Sequence, residues 1–125
     1  MRIFLVGMMG SVKSTFGKKL AESLLVDFYD LDKIIEAKLK KNIKDIFEED
    51  GEGFFRDIEN KSLNDFQNKT KFVLATGGGI ITNKGSRNFF LIKNFYLLFL
   101  ILKNDFFHYF LSSLQLHQYF FYQYQ

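Results

Sequence analysis

Apolar residues along the chain follow two rhythms. Ile3, Phe4, Leu5 and Val6 form a short continuous run that ends at Gly7, the signature of a strand buried on both faces. From Ser14 to Leu25 the rhythm becomes helical: Phe16, Leu20 and Leu24 recur, with Lys18, Lys19, Glu22 and Ser23 elsewhere. Residues 26–29 predict a second strand, ending in Asp30-Leu31-Asp32. Leu31, Ile34, Ile35 and Leu39 then predict a helix. Residues 42–47 predict a short helical segment, Glu48-Glu49-Asp50-Gly51 a turn, and Phe55, Ile58, Leu63 and Phe66 another amphipathic helix. Residues 71–76 predict a third strand closed by Gly77-Gly78-Gly79. Residues 83–93 predict a helix and 95–102 a fourth strand. Alternating strands and helices predict an α/β fold of three layers, α/β/α, with a parallel sheet and helices on both faces.

Composition divides the chain in two. Residues 1–88 contain nine Phe or Tyr and residues 89–125 contain fourteen. Beyond residue 88 the only charged residues are Lys93, Lys103 and Asp105. The expected organisation is therefore one partial domain over 1–103 and an aromatic-rich tail over 104–125. The tail has the character of out-of-frame translation of AT-rich DNA. The 125 residues are 47% hydrophobic and 25% charged, which suits a globular core rather than a disordered chain. With no cysteine, disulfides and thiolate metal sites are excluded. No apolar run approaches the ~18 residues of a membrane span, so no membrane partner is expected, and the lack of cysteine suits a reducing cytoplasm. The net charge of +3 is too mild to imply nucleic-acid binding. Lys38, Lys40, Lys41 and Lys44 read as a solvated helix face. His108 and His117 have only Asp105 near them in sequence and do not suggest a metal site.

The first chemical feature is Gly7-Met8-Met9-Gly10-Ser11-Val12-Lys13-Ser14-Thr15. It follows a predicted strand and opens a predicted helix, the setting of a phosphate-binding P-loop. Backbone N–H groups from Gly10 through Thr15 would cradle a nucleotide phosphate at a helix N-terminus. Lys13 would reach the terminal phosphates, and the Ser14 hydroxyl would ligate Mg2+. Val12 stands where the pattern has glycine. A β-branched side chain in a tight turn pressed against phosphate predicts weakened nucleotide binding. An ordinary strand-to-helix turn would also fit this segment taken alone.

Three further features lie where an acceptor would bind. Asp30 and Asp32, two apart at the end of the second strand, are expected to point the same way. There they could serve a metal ion and a proton acceptor, or simply cap the following helix. Arg56 could grip a carboxylate with two parallel hydrogen bonds, or form a surface ion pair with an i+3 or i−4 acidic neighbour. Gly77, Gly78 and Gly79 would let backbone press against a ligand, or form a flexible turn.

Taken in order and spacing, the segments 3–15, Phe28-Tyr29-Asp30-Leu31-Asp32 with Ile35-Glu36, 47–59 and 74–79 resemble the shikimate kinase family. The resemblance covers about residues 1–88 and continues weakly to 102. It implies a P-loop kinase fold with its C-terminal part missing, and ATP-dependent phosphorylation of the shikimate 3-hydroxyl. By the same resemblance Lys13 stabilises the transferred phosphoryl group, Ser14 and Asp30 serve Mg2+, and Asp32 binds the acceptor hydroxyl and acts as its base. Arg56 pairs with the shikimate carboxylate, and Gly77, Gly78 and Gly79 line the acceptor pocket. ATP and shikimate are the implied small-molecule partners, with Mg2+ as cofactor and a monomer as the working unit. The family's lid arginine has no counterpart, since no arginine follows Arg87. Alternatives on the same scaffold are an inactive remnant of that kinase and a non-enzymatic interaction module.

Overall fold

The computed structural model describes residues 1–7, 13–81, 83–92, 96–101 and 119–123. Strand β1 (Arg2–Gly7) leads to helix α1 (Lys13–Leu24), strand β2 (Asp27–Asp30) and helix α2 (Leu31–Leu39). A long helix, α3 (Ile43–Asn64), precedes strand β3 (Phe72–Gly77) and a 3-10 turn (Gly78–Ile81). Helix α4 (Lys84–Ile92) and strands β4 (Tyr96–Ile101) and β5 (Tyr119–Gln123) follow. The sheet order is β2-β3-β1-β4-β5 and every pairing is parallel. This is the predicted α/β architecture. The strand β5 falls in the aromatic tail and was not predicted.

Strands β1 and β3 are apolar at residues 3–6 and 72–75 because both faces of the sheet meet a helical layer there. Phe4 and Val6 of β1, with Phe72 and Leu74 of β3, pack against Leu31, Ile35, Ile46, Leu63 and Phe89 from α2, α3 and α4. The alternate residues Ile3, Leu5, Val73 and Ala75 pack against Ala21, with Phe16, Leu20 and Leu24 of α1 around them. Strand alternation sorts the side chains between the two faces. Phe4 is the hinge of the first layer, meeting Phe72 and Phe89 edge-on at centroid distances of 5.4 and 5.9 Å.

Two helix ends show how local sequence sets the path. Helix α1 closes in a Schellman motif: Val26 N–H donates to Ala21 O at 3.0 Å and Leu25 N–H to Glu22 O at 3.2 Å. The residue at the left-handed position is Leu25, with φ 55°, and it is 92% exposed. Helix α2 begins where the Asp30 carboxylate accepts from Lys33 N–H, and ends at Lys40, also left-handed. The expected turn at 48–51 narrows to one residue. Glu48, Glu49 and Asp50 remain helical, and only Gly51 departs, with φ 85° and ψ 168°. Charged residues continue the helix because lysines answer them: Lys41 reaches Glu49 at 2.7 Å and Asp50 at 3.1 Å. Glycine alone takes that φ cheaply, so the break falls there.

Lys38, Lys41 and Lys44 of the lysine-rich stretch pair with acidic side chains. Lys38 meets Asp65 at 2.7 Å and Lys44 lies 3.8 Å from Glu48. These contacts, with those of Lys41, fit a solvated helix face.

Candidate active site

Parallel strands place their C-terminal ends on one edge of the sheet, and the loops that leave this edge build the crevice of such folds. The P-loop leaves β1, the Asp30-Leu31-Asp32 segment leaves β2, and the triple glycine leaves β3. All three leave from this edge because β1, β2 and β3 pair in parallel, with Gly7 opposite Gly77 and Asp30 opposite Ala75.

On the phosphate side, Lys13 begins α1 and its ammonium donates to Gly7 O at 2.8 Å. Burial holds the Lys13 pKa below its ordinary value, while Asp32 and, more weakly, Asp30 oppose the shift. The Ser14 hydroxyl donates to Asp30 Oδ2 at 2.9 Å, and the other Asp30 oxygen accepts from Lys33 N–H at 3.3 Å. Asp30 therefore caps α2, one of its two readings, and also accepts a hydrogen bond from the P-loop helix. Thr15 follows Ser14 on α1 and is exposed. Gly10, Ser11 and Val12 lie outside the described residues, as do His108 and His117.

Asp32 is displaced from its expected setting. It belongs to the first turn of α2, not to the strand, because the Asp30 cap starts the helix at Leu31. Strand alternation thus does not relate the two carboxylates. Burial raises the Asp32 pKa, and the charge of Asp30 raises it further. Lys13 and Arg56 oppose this, and Glu36 adds a smaller upward push. A half-buried carboxyl so tuned is a stronger base than a free aspartate.

Arg56 lies on α3 after the Gly51 break. Its Nη1 donates to Glu59 Oε1 at 2.9 Å, and its Nη2 lies 3.6 Å from Glu52 Oε1. These are the i+3 and i−4 neighbours named by the sequence, but the pair with Glu59 is no surface bridge. The Arg56 side chain is 19% exposed and that of Glu59 only 1%. Burial raises the Glu59 pKa against the pull of the Arg56 hydrogen bond and charge, and Asp32 adds to the rise. The Arg56 guanidinium carbon also sits 5.2 Å from the Phe55 ring centre. Glu59 is the functional neighbour that sequence reasoning missed. Its spacing to Arg56 was visible, but its burial was not.

Gly77 ends β3, and Gly78 and Gly79 open the 3-10 turn. A methyl group at Gly77 would meet nothing within 4 Å, whereas one at Gly79 would run into the Arg56 guanidinium. Lys13, Asp32, Arg56 and Glu59 thus form one electrostatic set, linked through Asp32. The set offers a cation, a carboxylate of raised basicity and an anchored guanidinium. Groups of this kind can hold anions and accept a proton. The hard oxygens of Ser14 and Asp30 suit Mg2+, which takes few protein ligands and keeps waters and phosphate oxygens. Among the described residues no cluster of three or more His, Cys, Asp or Glu could hold a metal.

Comparison with known proteins places the chain. A family profile described as shikimate kinase matches residues 9–112, running past the change in composition near residue 90. The shikimate kinase of a Sulfurihydrogenibium species is 50% identical over 86 residues, 69% of this chain and 52% of that protein. A bifunctional shikimate kinase/3-dehydroquinate synthase of Thermotoga maritima is 46% identical over 100 residues, 80% of this chain and 20% of that protein. Among solved structures, shikimate kinase from Acinetobacter baumannii in complex with shikimate superposes with a TM-score of 0.75 at 42% identity. That match covers 82% of this chain and 56% of the other. The Aquifex aeolicus enzyme gives 0.74 at 38%, over 82% of this chain and 61% of the other. The chain spans about half the length of the curated shikimate kinases it matches. It belongs to the shikimate kinase family.

Proposed function

We propose that this member of the family binds ATP and shikimate and transfers the terminal phosphoryl group of ATP to the shikimate 3-hydroxyl. The observation that carries the reading is the single set formed by Lys13, Asp32 and Arg56, with the Ser14–Asp30 pair beside it.

In this reading Arg56 holds the acceptor carboxylate with its forked donors, while Glu59 holds Arg56. That grip sets the acceptor hydroxyl near Asp32. The hydroxyl oxygen forms its bond to the γ-phosphorus as the bond from that phosphorus to the ADP oxygen breaks. The hydroxyl proton passes to an Asp32 oxygen, which its raised pKa favours. Lys13 meets the negative charge that gathers on the phosphoryl oxygens. Ser14 and Asp30 would hold Mg2+, which when bound neutralises phosphate charge. Positioning and charge neutralisation are most of what phosphoryl transfer needs, and these residues supply both. Gly77, Gly78 and Gly79 border the acceptor, and Gly10 through Thr15 border the nucleotide. The protein acts as a monomer in the cytoplasm under this reading, and none of its described helices is long and apolar enough to cross a membrane.

The test is shikimate-dependent release of ADP from Mg-ATP by full chain shown to be folded by circular dichroism. The expected result is turnover well above that of Lys13→Ala. A Val12→Gly chain, which restores the glycine of the P-loop pattern, is expected to bind ATP more tightly than the parent. A folded sample of either chain that turns over no faster than Lys13→Ala would overturn the reading.

A further inference from the structure

We propose that Gly79 is a positioning residue for Arg56. Its bare Cα lets the guanidinium lie against the backbone of the 3-10 turn, and so sets where the acceptor's carboxylate is gripped. The triple glycine is then not one flexible unit, because its members do different things.

The geometry separates them. A Cβ at Gly77 would meet nothing within 4 Å. A Cβ at Gly79 would stand 2.6 Å from both Cζ and Nη1 of Arg56, and would press on Nη2 as well. All three are atoms of the planar head that would grip a carboxylate. Those separations are inside any tolerable carbon contact, so the head must move. It has little freedom to do so. Nη1 is tied to Glu59, whose side chain is 1% exposed and has nowhere to follow. The guanidinium carbon also lies 5.2 Å from the centre of the Phe55 ring. A displaced Arg56 must therefore loosen its hydrogen bond to a buried carboxylate or turn its fork away from the crevice. Because the colliding group is the end of a long side chain, backbone packing need not change. The cost falls on aim more than on stability, and errors of about 1 Å in aim can cost as much as about 100-fold in an enzyme site. Gly79 also differs from a general glycine requirement in that nothing here calls for a positive φ; its need is for space.

The identity of the gripped acid rests on the proposed function, whereas the dependence of Arg56 on Gly79 does not. Two measurements on the full chain keep them apart. The first is the Arg56 Nε–Hε signal in nitrogen-15 NMR spectra of the ligand-free protein, assigned by its absence in Arg56→Lys. It is expected to shift in Gly79→Ala and to stay in place in Gly77→Ala. The second is calorimetric titration with shikimate. Affinity is expected to fall at least about tenfold in Gly79→Ala. In an Arg56→Lys background the further loss from Gly79→Ala is expected to shrink to less than about twofold, since no fork remains to displace. If Gly79→Ala lowers the melting temperature, it is expected to cause little further loss in an Arg56→Lys background. An unmoved Arg56 signal in folded Gly79→Ala, or a melting loss that persists with Arg56→Lys, would overturn the proposal. A parent chain that binds no shikimate, with the NMR shift present, would overturn the proposed function and leave the Gly79–Arg56 relation standing.

Discussion

Removing Arg56 tests whether its ion pair is part of the core or decoration on the surface. Arg56→Ala leaves Glu59 with its side chain 1% exposed and without the donor that sits 2.9 Å from its oxygen. Breaking a buried pair in this way costs about 3–5 kcal/mol, because one charge stays in a poor solvent uncompensated. An exposed pair such as Lys44–Glu48, 3.8 Å apart and 81% and 63% exposed, is worth at most about 0.5 kcal/mol. At about 4 °C per kcal/mol for a domain of this size, Arg56→Ala lowers the melting temperature by roughly 12–20 °C. Burial already raises the Glu59 pKa in the parent. Its folded form thus favours the proton, and the penalty for ionising it is absent at low pH and appears as pH rises through the folded pKa. Losing Arg56 raises that pKa further. The destabilisation is therefore expected to shrink as pH falls into the carboxylate range, and to be partly relieved at neutral pH by adding Glu59→Gln. Thermal melts followed by circular dichroism at neutral and acid pH read both effects. A loss within about 1 kcal/mol, the same at both pH values, would refute the burial argument and return Arg56 to a surface role.

Three other substitutions probe the frame and the site. Gly17→Ala is expected to destabilise, since its Cβ would press on the Phe28 ring and stand 2.8 Å from Leu5 Cδ1. Overpacking of about 1–3 kcal/mol outweighs the helix propensity gain of about 1 kcal/mol, and a rise in melting temperature would contradict this. Leu25→Gly is expected to stabilise by up to about 1 kcal/mol in urea melts. It relieves a left-handed φ of 55° and gives up a side chain that is 92% exposed; an unchanged or lower midpoint would count against it. Asp32→Asn is expected to raise the melting temperature at neutral pH and to change it little below the pH at which a free aspartate titrates. The Asp32 pKa is raised, so the stability lost to its ionisation builds from the pH at which a free aspartate titrates up to that folded value. Equal melting shifts at both pH values would rule that out, and phosphoryl transfer is expected to be lost throughout.

The fold was legible because its central strands are buried on both faces. Ile3 to Val6 and residues 72–75 are apolar without interruption, as suits strands between two helical layers. What the pattern could not carry were events set by capping and by distant pairing. Asp32 was placed on a strand by the two-residue spacing, yet one hydrogen bond from Lys33 N–H to Asp30 moves the helix start to Leu31. Glu48, Glu49 and Asp50 looked like a turn because charges cluster beside a glycine, but Lys41 sits where it can answer two of them. The strand β5 has its partner β4 some twenty residues earlier, and an uncharged aromatic stretch states nothing local about such a pairing.

The site was legible in its members and not in their dependence on one another. Lys13, Asp30, Asp32 and Arg56 each had a plausible structural role when taken singly, and the structure keeps some of those roles. Asp30 is a helix cap and Arg56 does pair with its i+3 and i−4 neighbours. The difference lies in burial, which a sequence does not state. A capping aspartate costs nothing, but Lys13, Asp32 and Glu59 all have pKa values moved by burial toward their neutral forms. A chain selected for stability alone would replace such groups with apolar ones of similar size. Their charges oppose one another's shifts only in part. Bound anions would change that balance. A phosphate beside Lys13 and a carboxylate on Arg56 would give both cations the counter-charge that Asp32 and Glu59 now share between them. The arrangement is therefore better suited to an occupied crevice than to an empty one, and two anions of the proposed reaction are what it is short of.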